Sequence, residues 1–278
     1  MTSTAPIGLT AAKGVVDQRA PTEPATGRRT RWVANSLVNT LWPTVAVIGA
    51  WALWVQLGDA PPAVAPHPSA VLQYLVGNAG SFVGDTWSTI EVVVGGLLIG
   101  TLAGLLLAAL SWFSDILRAM INGPALLTQC LPVATITPVL ARVFGYGTNT
   151  MVVITALISF FPVLVFATAG VRRTPAGSDD LFVVLGASLW QRFWRLAAPA
   201  AIPRILVALR LSVVAAVAGT MLAQWIMGTS GLGSRLIVAQ SSFRTAEAWA
   251  AALVSIALSV LLYAAISAIG RRASERFD

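Results

Sequence analysis

Charge is scarce in this chain. Of its 278 residues only 10% are charged and 56% are hydrophobic, whereas a soluble domain carries roughly 25% charged residues. Mean hydropathy is +0.78. So few charges cannot coat a globule of this size, which excludes an ordinary soluble enzyme. Cysteine and histidine are nearly missing as well. The single Cys130 forms no intramolecular disulfide and lacks companions for a metal site. The lone His67 stands in a proline-rich stretch without other ligand types nearby. No metal and no cofactor is expected. The sequence has no GxxxxGK[ST] run to cradle phosphates, and no acid, base and nucleophile are set up for hydrolysis. Catalysis in this chain is not expected.

What the sequence does have is long apolar runs. Six stretches carry no Asp, Glu, Lys or Arg: 32–58, 92–114, 119–141, 143–171, 211–234 and 248–270. Each exceeds the roughly 20 residues that a helix needs to cross about 30 Å of hydrocarbon. The expected fold class is an all-α membrane protein with six transmembrane helices.

The net charge of +7 could suggest nucleic acid, but the distribution of the basic residues points to the membrane. Lys13, Arg19, Arg28, Arg29 and Arg31 precede the first run and Arg118 follows the second. Arg172, Arg173, Arg192, Arg195, Arg204 and Arg210 lie between the fourth and fifth, and Arg271, Arg272 and Arg276 follow the sixth. Cytoplasmic loops hold the Lys/Arg excess, so both termini are expected in the cytoplasm of a bacterial cell, with the chain in its plasma (inner) membrane. Residues 1–35 are rich in Thr, Ala and Pro without the apolar core of a signal peptide, and read as a disordered cytoplasmic tail. Residues 36–86 then hold the first span and an outer loop, residues 87–270 a core containing a cytoplasmic loop at 178–204, and 271–278 a short tail. In the outer loop a short amphipathic helix is expected near Ser69–Val76, with Ser69 as its N-cap.

The second run places Gly96, Gly100 and Gly104 on one face, a spacing that lets helices approach closely in lipid. Glu91 borders this run and reads as an interfacial carboxylate. The third run contains Pro124, Pro132 and Pro138. A span so interrupted leaves carbonyls unpaired, which is tolerated where the helix lines a cavity or packs on protein. Thr128, Gln129, Pro132, Thr135 and Thr137 are therefore the candidate pathway-lining residues. Arg142, at the outer end of this run, is the sixth: it either snorkels to the interface or offers its planar fork to an anion.

The loop between the fourth and fifth runs reads as two short helices. Ser178, Asp179 and Asp180 suit a helix N-terminus, and Gly186 suits the left-handed position that ends it. Ser188-x-x-Gln191 forms a capping box for the second, which Pro199 and Pro203 are expected to end. Trp190, Phe193 and Trp194 alternate there with Arg192 and Arg195 at helical spacing. Docking on a partner protein and lying flat among lipid headgroups both fit such a face.

This loop, LGASLWQRFWRLAAPAAIPRIL, resembles the EAA loop of binding-protein-dependent ABC importer permeases: Gly186 matches the glycine of that pattern and Ile202-Pro203 its end. Asp180, Leu181 and Phe182 replace Glu-Ala-Ala. LPVATITPVLARVFGYG (131–147) resembles the double-proline stretch of permeases for nitrate, sulfonate, taurine and related compounds, with Leu131 in the first proline's place. APHPSAVLQYL and SGLGSRL (230–236) also resemble segments of that family, and Gln224 stands where many relatives have Glu. The resemblance spans roughly residues 60–270. It implies two permease copies, expected as a homodimer, cytoplasmic ATPase subunits and an extracytoplasmic binding protein, with membrane lipid around them and no nucleic acid. It also implies that Asp180, Gly186, Ala187, Ser188, Trp190, Arg192, Phe193 and Pro203 couple the chain to the ATPase. The substrate classes it leaves open are sulfonate- or nitrate-like anions, bicarbonate and pyrimidine precursors. A secondary transporter or channel without an ATPase is the alternative reading.

Overall fold

The structure, a computed structural model, describes residues 42–43, 45–58, 61, 64–130, 132–174 and 177–274, with the side chains of 129, 130, 273 and 274 outside that description. The expected tail 1–35 and the start of the first run lie outside the described residues. The chain divides into two compact units, residues 1–53 and 54–278. The first described helix is α1 (Val45–Leu57).

Among the described residues of the larger unit, every regular element is a helix. A short α2 (Pro68–Gly77) leads into α3 (Ala79–Phe113). The N-cap of α2 is His67, whose Nδ1 accepts from the Ser69 amide at 3.3 Å. Ser69 is thus a residue of the first turn and not the cap: Pro68, which has no amide hydrogen to satisfy, takes the position just inside the helix start. α3 begins thirteen residues before the charge-free run. Its 35 residues span about 52 Å at 1.5 Å per residue, so Glu91 lies well inside the helix, on an exposed surface, rather than at its edge. The charge-free criterion missed this because Asp85, within α3, is neutralised by an arginine from elsewhere in the fold.

α4 (Asp115–Cys130) and α5 (Val133–Phe144) replace the expected third span. The two axes meet at 103°, with Pro132 in extended conformation before α5. This is an elbow, formed as a broken span or a re-entrant loop, not one straight helix. α6 (Thr148–Val171) follows, then α7 (Ser178–Val184), α8 (Leu189–Arg192), a π-helical turn over Phe193–Ala197, and α9 (Ala198–Met227). α10 (Leu232–Ser241) and α11 (Thr245–Ser274) complete the unit. Four helices among the described residues are long and apolar enough to cross a membrane, or five if the bent pair is one span. Much of the first of the six expected spans lies outside the described residues, and the expected third is the bent pair.

α6 lies at the centre, packed against α3 on one side and α9 on the other. The glycine face of α3 makes this possible. A Cβ at Gly96 would come 2.4 Å from Thr155 Cβ, and one at Gly100 would come 2.4 Å from the Ala156 carbonyl oxygen. Small polar residues join α6 to α9: the Thr155 and Thr220 hydroxyls lie 2.7 Å apart, and Ser212 donates to the Ser159 carbonyl at 3.3 Å. Lipid tails are as apolar as Leu, so close backbone packing and such bonds replace the hydrophobic drive between helices.

Candidate functional site

The loop between α6 and α9 is built by two adjacent capping motifs. α7 ends in a Schellman turn: the Ala187 amide donates to the Phe182 carbonyl at 2.9 Å and the Gly186 amide to the Val183 carbonyl at 3.0 Å. Gly186 has φ of +72°, a left-handed conformation that costs residues with a Cβ far more than glycine. Two residues on, the capping box forms in full. The Gln191 amide donates to Ser188 Oγ at 3.3 Å and the Ser188 amide to Gln191 Oε1 at 3.0 Å. One motif stops α7, the next starts α8, and only Ala187 separates their key residues.

Beyond α8 the structure departs from the expectation. Pro199 and Pro203 do not end the second helix, because the π turn carries it on into α9 as a continuous run from Leu189 to Met227. In that turn the Ala198 amide donates to the Phe193 carbonyl. The shifted ladder accommodates Pro199 near the start of α9, where a missing amide is least costly. The α7–α8 loop is therefore joined without a break to the long apolar helix α9.

Phe193 is the hub of this corner. It is buried with Val171, Ala197 and Ala201, and its ring lies 5.4 Å from Phe113, 6.4 Å from Trp112, 6.3 Å from Trp190 and 5.3 Å from Trp194. Trp190 stacks on Phe113 at 5.8 Å. These contacts clamp the loop to the end of α3. Phe193 is thus an internal anchor, whereas Trp190 and Trp194 keep exposed outer faces. Arg192 is gripped by Asp179 of α7, with Nε donating to Oδ1 at 2.8 Å. Asp180, Ala187 and Ser188 stand near this turn, Asp180 exposed, and Pro203 lies further along on an exposed part of α9. Four apolar side chains of α7 and its end, Leu181, Val183, Val184 and Leu185, face outward, Val184 with 83% of its surface free.

The elbow between α4 and α5 borders a cavity of about 430 Å³. It is lined by Thr128, Val133 and Ile136 from the elbow, Ile154, Leu157 and Ile158 from α6, and Ala215, Ala218, Gly219 and Leu222 from α9. Of the expected pathway residues whose side chains are described, only Thr128 reaches it. The Thr128 hydroxyl donates to the Ala125 carbonyl at 2.7 Å. Thr137 is fully buried and back-bonds to the Val133 carbonyl. Pro132 and Thr135 are exposed, as is Arg142 in the last turn of α5. The Gln129 side chain lies outside the described residues.

At the far end of the helices a buried polar knot fixes α10, the Gly-Leu-Gly segment. Gln224 Oε1 accepts from the Gly233 amide at 3.1 Å and from Thr89 Oγ1 at 3.2 Å, while Thr89 Oγ1 accepts from the Leu232 amide at 3.0 Å. Arg235 then reaches Asp85 Oδ2 at 3.0 Å and Glu247 Oε1 at 3.0 Å, with its guanidinium 3.8 Å from the Phe82 ring centroid. Burial works against the Arg235 charge, but hydrogen bonds to Asp85 and Tyr74 and the neighbouring carboxylates outweigh it and hold its pKa above the usual arginine value. Sequence reading found the Gly-Leu-Gly segment but missed this network. An arginine inside a weakly apolar segment, with acids 150 residues upstream and 12 downstream, was its only signal.

Known proteins match this arrangement. Residues 96–276 match the family described as the binding-protein-dependent transport system inner membrane component. A probable ABC transporter permease protein of Haemophilus influenzae is 32% identical over 78% of this chain and 88% of its own length. A formylaminopyrimidine transport permease of Halalkalibacterium halodurans is 28% identical over 74% of this chain and 82% of its own. The taurine transport permease of Escherichia coli is 26% identical over 87% and 91%. A crystal structure of an amino acid ABC transporter shares the fold with a TM-score of 0.60 at 18% identity, covering 72% of this chain and 97% of that one. Long packed helices, a double-capped loop and a chain without catalytic groups thus meet a match over most of the sequence, and the chain belongs to the binding-protein-dependent inner membrane components: it is the multi-pass, non-catalytic permease subunit of an ABC importer, a family that implies separate ATPase and binding-protein partners.

Proposed function

We propose that the chain pairs with a second copy of itself to form the translocation pathway, and that α7 with the α7–α8 turn docks on a cytoplasmic ATPase. The outward-facing apolar edge of α7 carries this reading: Leu181, Val184 and Leu185 are each more than half exposed on a loop otherwise pinned by two caps and an aromatic cluster. A rigid lever with an apolar tip suits force transmission, because movement of the tip turns α9 with it. The Lys/Arg excess in the loops supports a cytoplasmic position for α7 and both termini.

The solute is small. The apolar lining of the elbow cavity, with one threonine hydroxyl, favours a planar, weakly polar body of the pyrimidine-precursor kind over a sulfonate, whose desolvated charge would find no charged partner among the described lining residues.

A photo-reactive residue at Val184 or Leu185 should cross-link to the ATPase in membranes, and one at exposed Ser242 should not. In a chain with Cys130→Ser, a cysteine at Ser242 should label from outside and one at Gln191 only after permeabilisation. Labelling in the reverse pattern would overturn the orientation. The solute is tested by screening ligands of the cognate binding protein. A sulfonate or nitrate binding there, with no heterocycle, would overturn the cavity argument while leaving the coupling intact.

A further inference from the structure

A second cavity, of about 570 Å³, opens between α4 and α6 at the end of α6 that leads into the coupling loop. Its lining is graded along the helix axes. Phe161, Leu164, Val165 and Leu126 form an apolar wall, while Arg118, Asn122 and Arg172 gather at the other end, where Thr168 is also placed. Thr168 is more than nine-tenths buried, and its hydroxyl has no partner. Arg204 approaches the same end, with one nitrogen 3.3 Å from the carbonyl of Ala169, itself a lining residue.

Two guanidiniums therefore share one carboxylate, with Arg204 held nearby by a carbonyl oxygen. Asp115 Oδ1 accepts from Arg172 at 2.7 Å and lies 3.3 Å from Arg118. Each guanidinium has five N–H donors, so a single shared acid occupies a minority of them and leaves the mouth cationic. Asp115 also holds Arg118 of α4 and Arg172 at the end of α6 side by side, an arrangement suited to two-sided capture of phosphate oxygens. Cavities of 300–1,000 Å³ that combine an apolar wall with a few converging polar groups are the usual form of a ligand site. The one in hand lies where the charge-free stretches of α4 and α6 end at Arg118 and Arg172, as a headgroup-level site would.

We propose that this cavity holds an anionic glycerophospholipid, its phosphate between Arg118 and Arg172 and its acyl chain along Leu126, Phe161 and Val165. A soluble anion would use the arginines and leave the apolar wall to water. A zwitterionic lipid would bring its own cation into a cationic mouth. An anionic lipid satisfies both halves of the cavity. The bound lipid would brace the arm of the α4–α5 elbow against α6, where α4 otherwise makes limited contact. Only the assignment to the inner leaflet rests on the orientation proposed above.

The test uses the full chain, purified from vesicles of phosphatidylcholine containing graded phosphatidylglycerol, with co-purifying lipid counted by mass spectrometry. The wild-type chain should retain phosphatidylglycerol in preference to phosphatidylcholine. R118Q/R172Q should lower that preference by about thirtyfold, the scale expected for two arginines near a membrane surface. R173Q, at an exposed arginine outside the cavity, should leave it unchanged. V165W, which fills the apolar wall with every charge intact, should also release the lipid. This second variant keeps the proposal open to refutation should the double variant fold poorly. Retention unchanged in both R118Q/R172Q and V165W would overturn it, as would equal loss in R173Q. Displacement of the lipid by millimolar glycerol 3-phosphate would replace it with a site for free anions. Lipid retention is read without the ATPase, so failure here is distinguishable from failure of the coupling proposal.

Discussion

Asp179 on α7 holds Arg192 on α8 side-on through both carboxylate oxygens, with Nε donating to Oδ1 at 2.8 Å and a terminal nitrogen paired with Oδ2. The pair closes the triangle whose other two sides are the Schellman turn at Gly186 and the capping box at Ser188. Helix ends alone fix where each short helix stops and starts. The ion pair fixes the angle between them, and with it the direction in which Leu181 and Val184 point. R192Q is expected to keep membrane assembly but lose about half or more of transport-coupled ATP hydrolysis. The pair is partly exposed, Asp179 by 39%, so its contribution to stability stays near 1 kcal/mol or below. A double-mutant cycle with D179N, read as thermal stability and as ATPase stimulation, should show coupling in both. Independent effects would mean that the pair does not set the geometry.

Gly186 tests the same hinge from the backbone. No atom lies within 4 Å of a Cβ added there, so G186V cannot act through a clash. Its effect comes from φ of +72° alone, a cost of about 1–2 kcal/mol for a residue with a Cβ. G186V should abolish uptake while the protein still reaches the membrane, and G186N should retain most activity because Asn tolerates the left-handed region. Equal activity of G186V and wild type would show that the turn does not carry the coupling.

Local chemistry was readable in the sequence and long-range chemistry was not. Gly186 and the Ser188–Gln191 box are short-range signals, since each motif closes within about five residues, and both form as expected. The end of the second helix was misread because Pro199 and Pro203 stop an isolated helix, while a π turn packed against Phe113 and Trp112 carries this one through. The start of α3 was misplaced for a related reason. Asp85 argues against a span until Arg235, 150 residues later, neutralises it. Thr135 and Thr137 looked equivalent as pathway residues, yet the register of α5 exposes one and buries the other. The bend of the third run was announced by its prolines, but its 103° angle and the apolar cavity inside it depend on α6 and α9.

The glycine face of α3 gives a prediction about assembly rather than coupling. A Cβ at Gly100 would stand 2.4 Å from the Ala156 carbonyl oxygen and 2.9 Å from Ser159 Cβ. Backbone cannot move aside as a flexible side chain can. G100A is expected to push α3 away from α6 and cost about 1–3 kcal/mol, the range for overpacking a close-fitting interface. G95A serves as the control, because its Cβ meets only Val152 methyl carbons at 3.6 Å and beyond. Thermal unfolding in detergent should separate the two, with G100A lower and G95A close to wild type. Equal melting temperatures would mean that α3 and α6 are not held this closely.

The last prediction concerns Arg235, whose two acids come from α3 and α11. Glu247 is almost fully buried, its side chain 5% exposed, and Arg235 is 14% exposed. Removing one partner of a buried ion pair generally costs about 3–5 kcal/mol, because the remaining charge is left uncompensated. Here Arg244 still reaches Glu247 Oε2 at 2.6 Å, so R235Q should cost less than the full range, about 2–3 kcal/mol. R235Q/E247Q should recover part of that loss, since the double variant buries no orphan charge at the Glu247 position. The network also ties the Gly-Leu-Gly helix to the starts of α3 and α11, so the loosened variant should show faster hydrogen exchange over Leu232–Ser241 with little change in α7. A variant with wild-type stability and unchanged exchange in α10 would contradict the role given to the ion pairs. Enhanced exchange confined to α7 would place the coupling between these ends of the bundle somewhere other than Arg235.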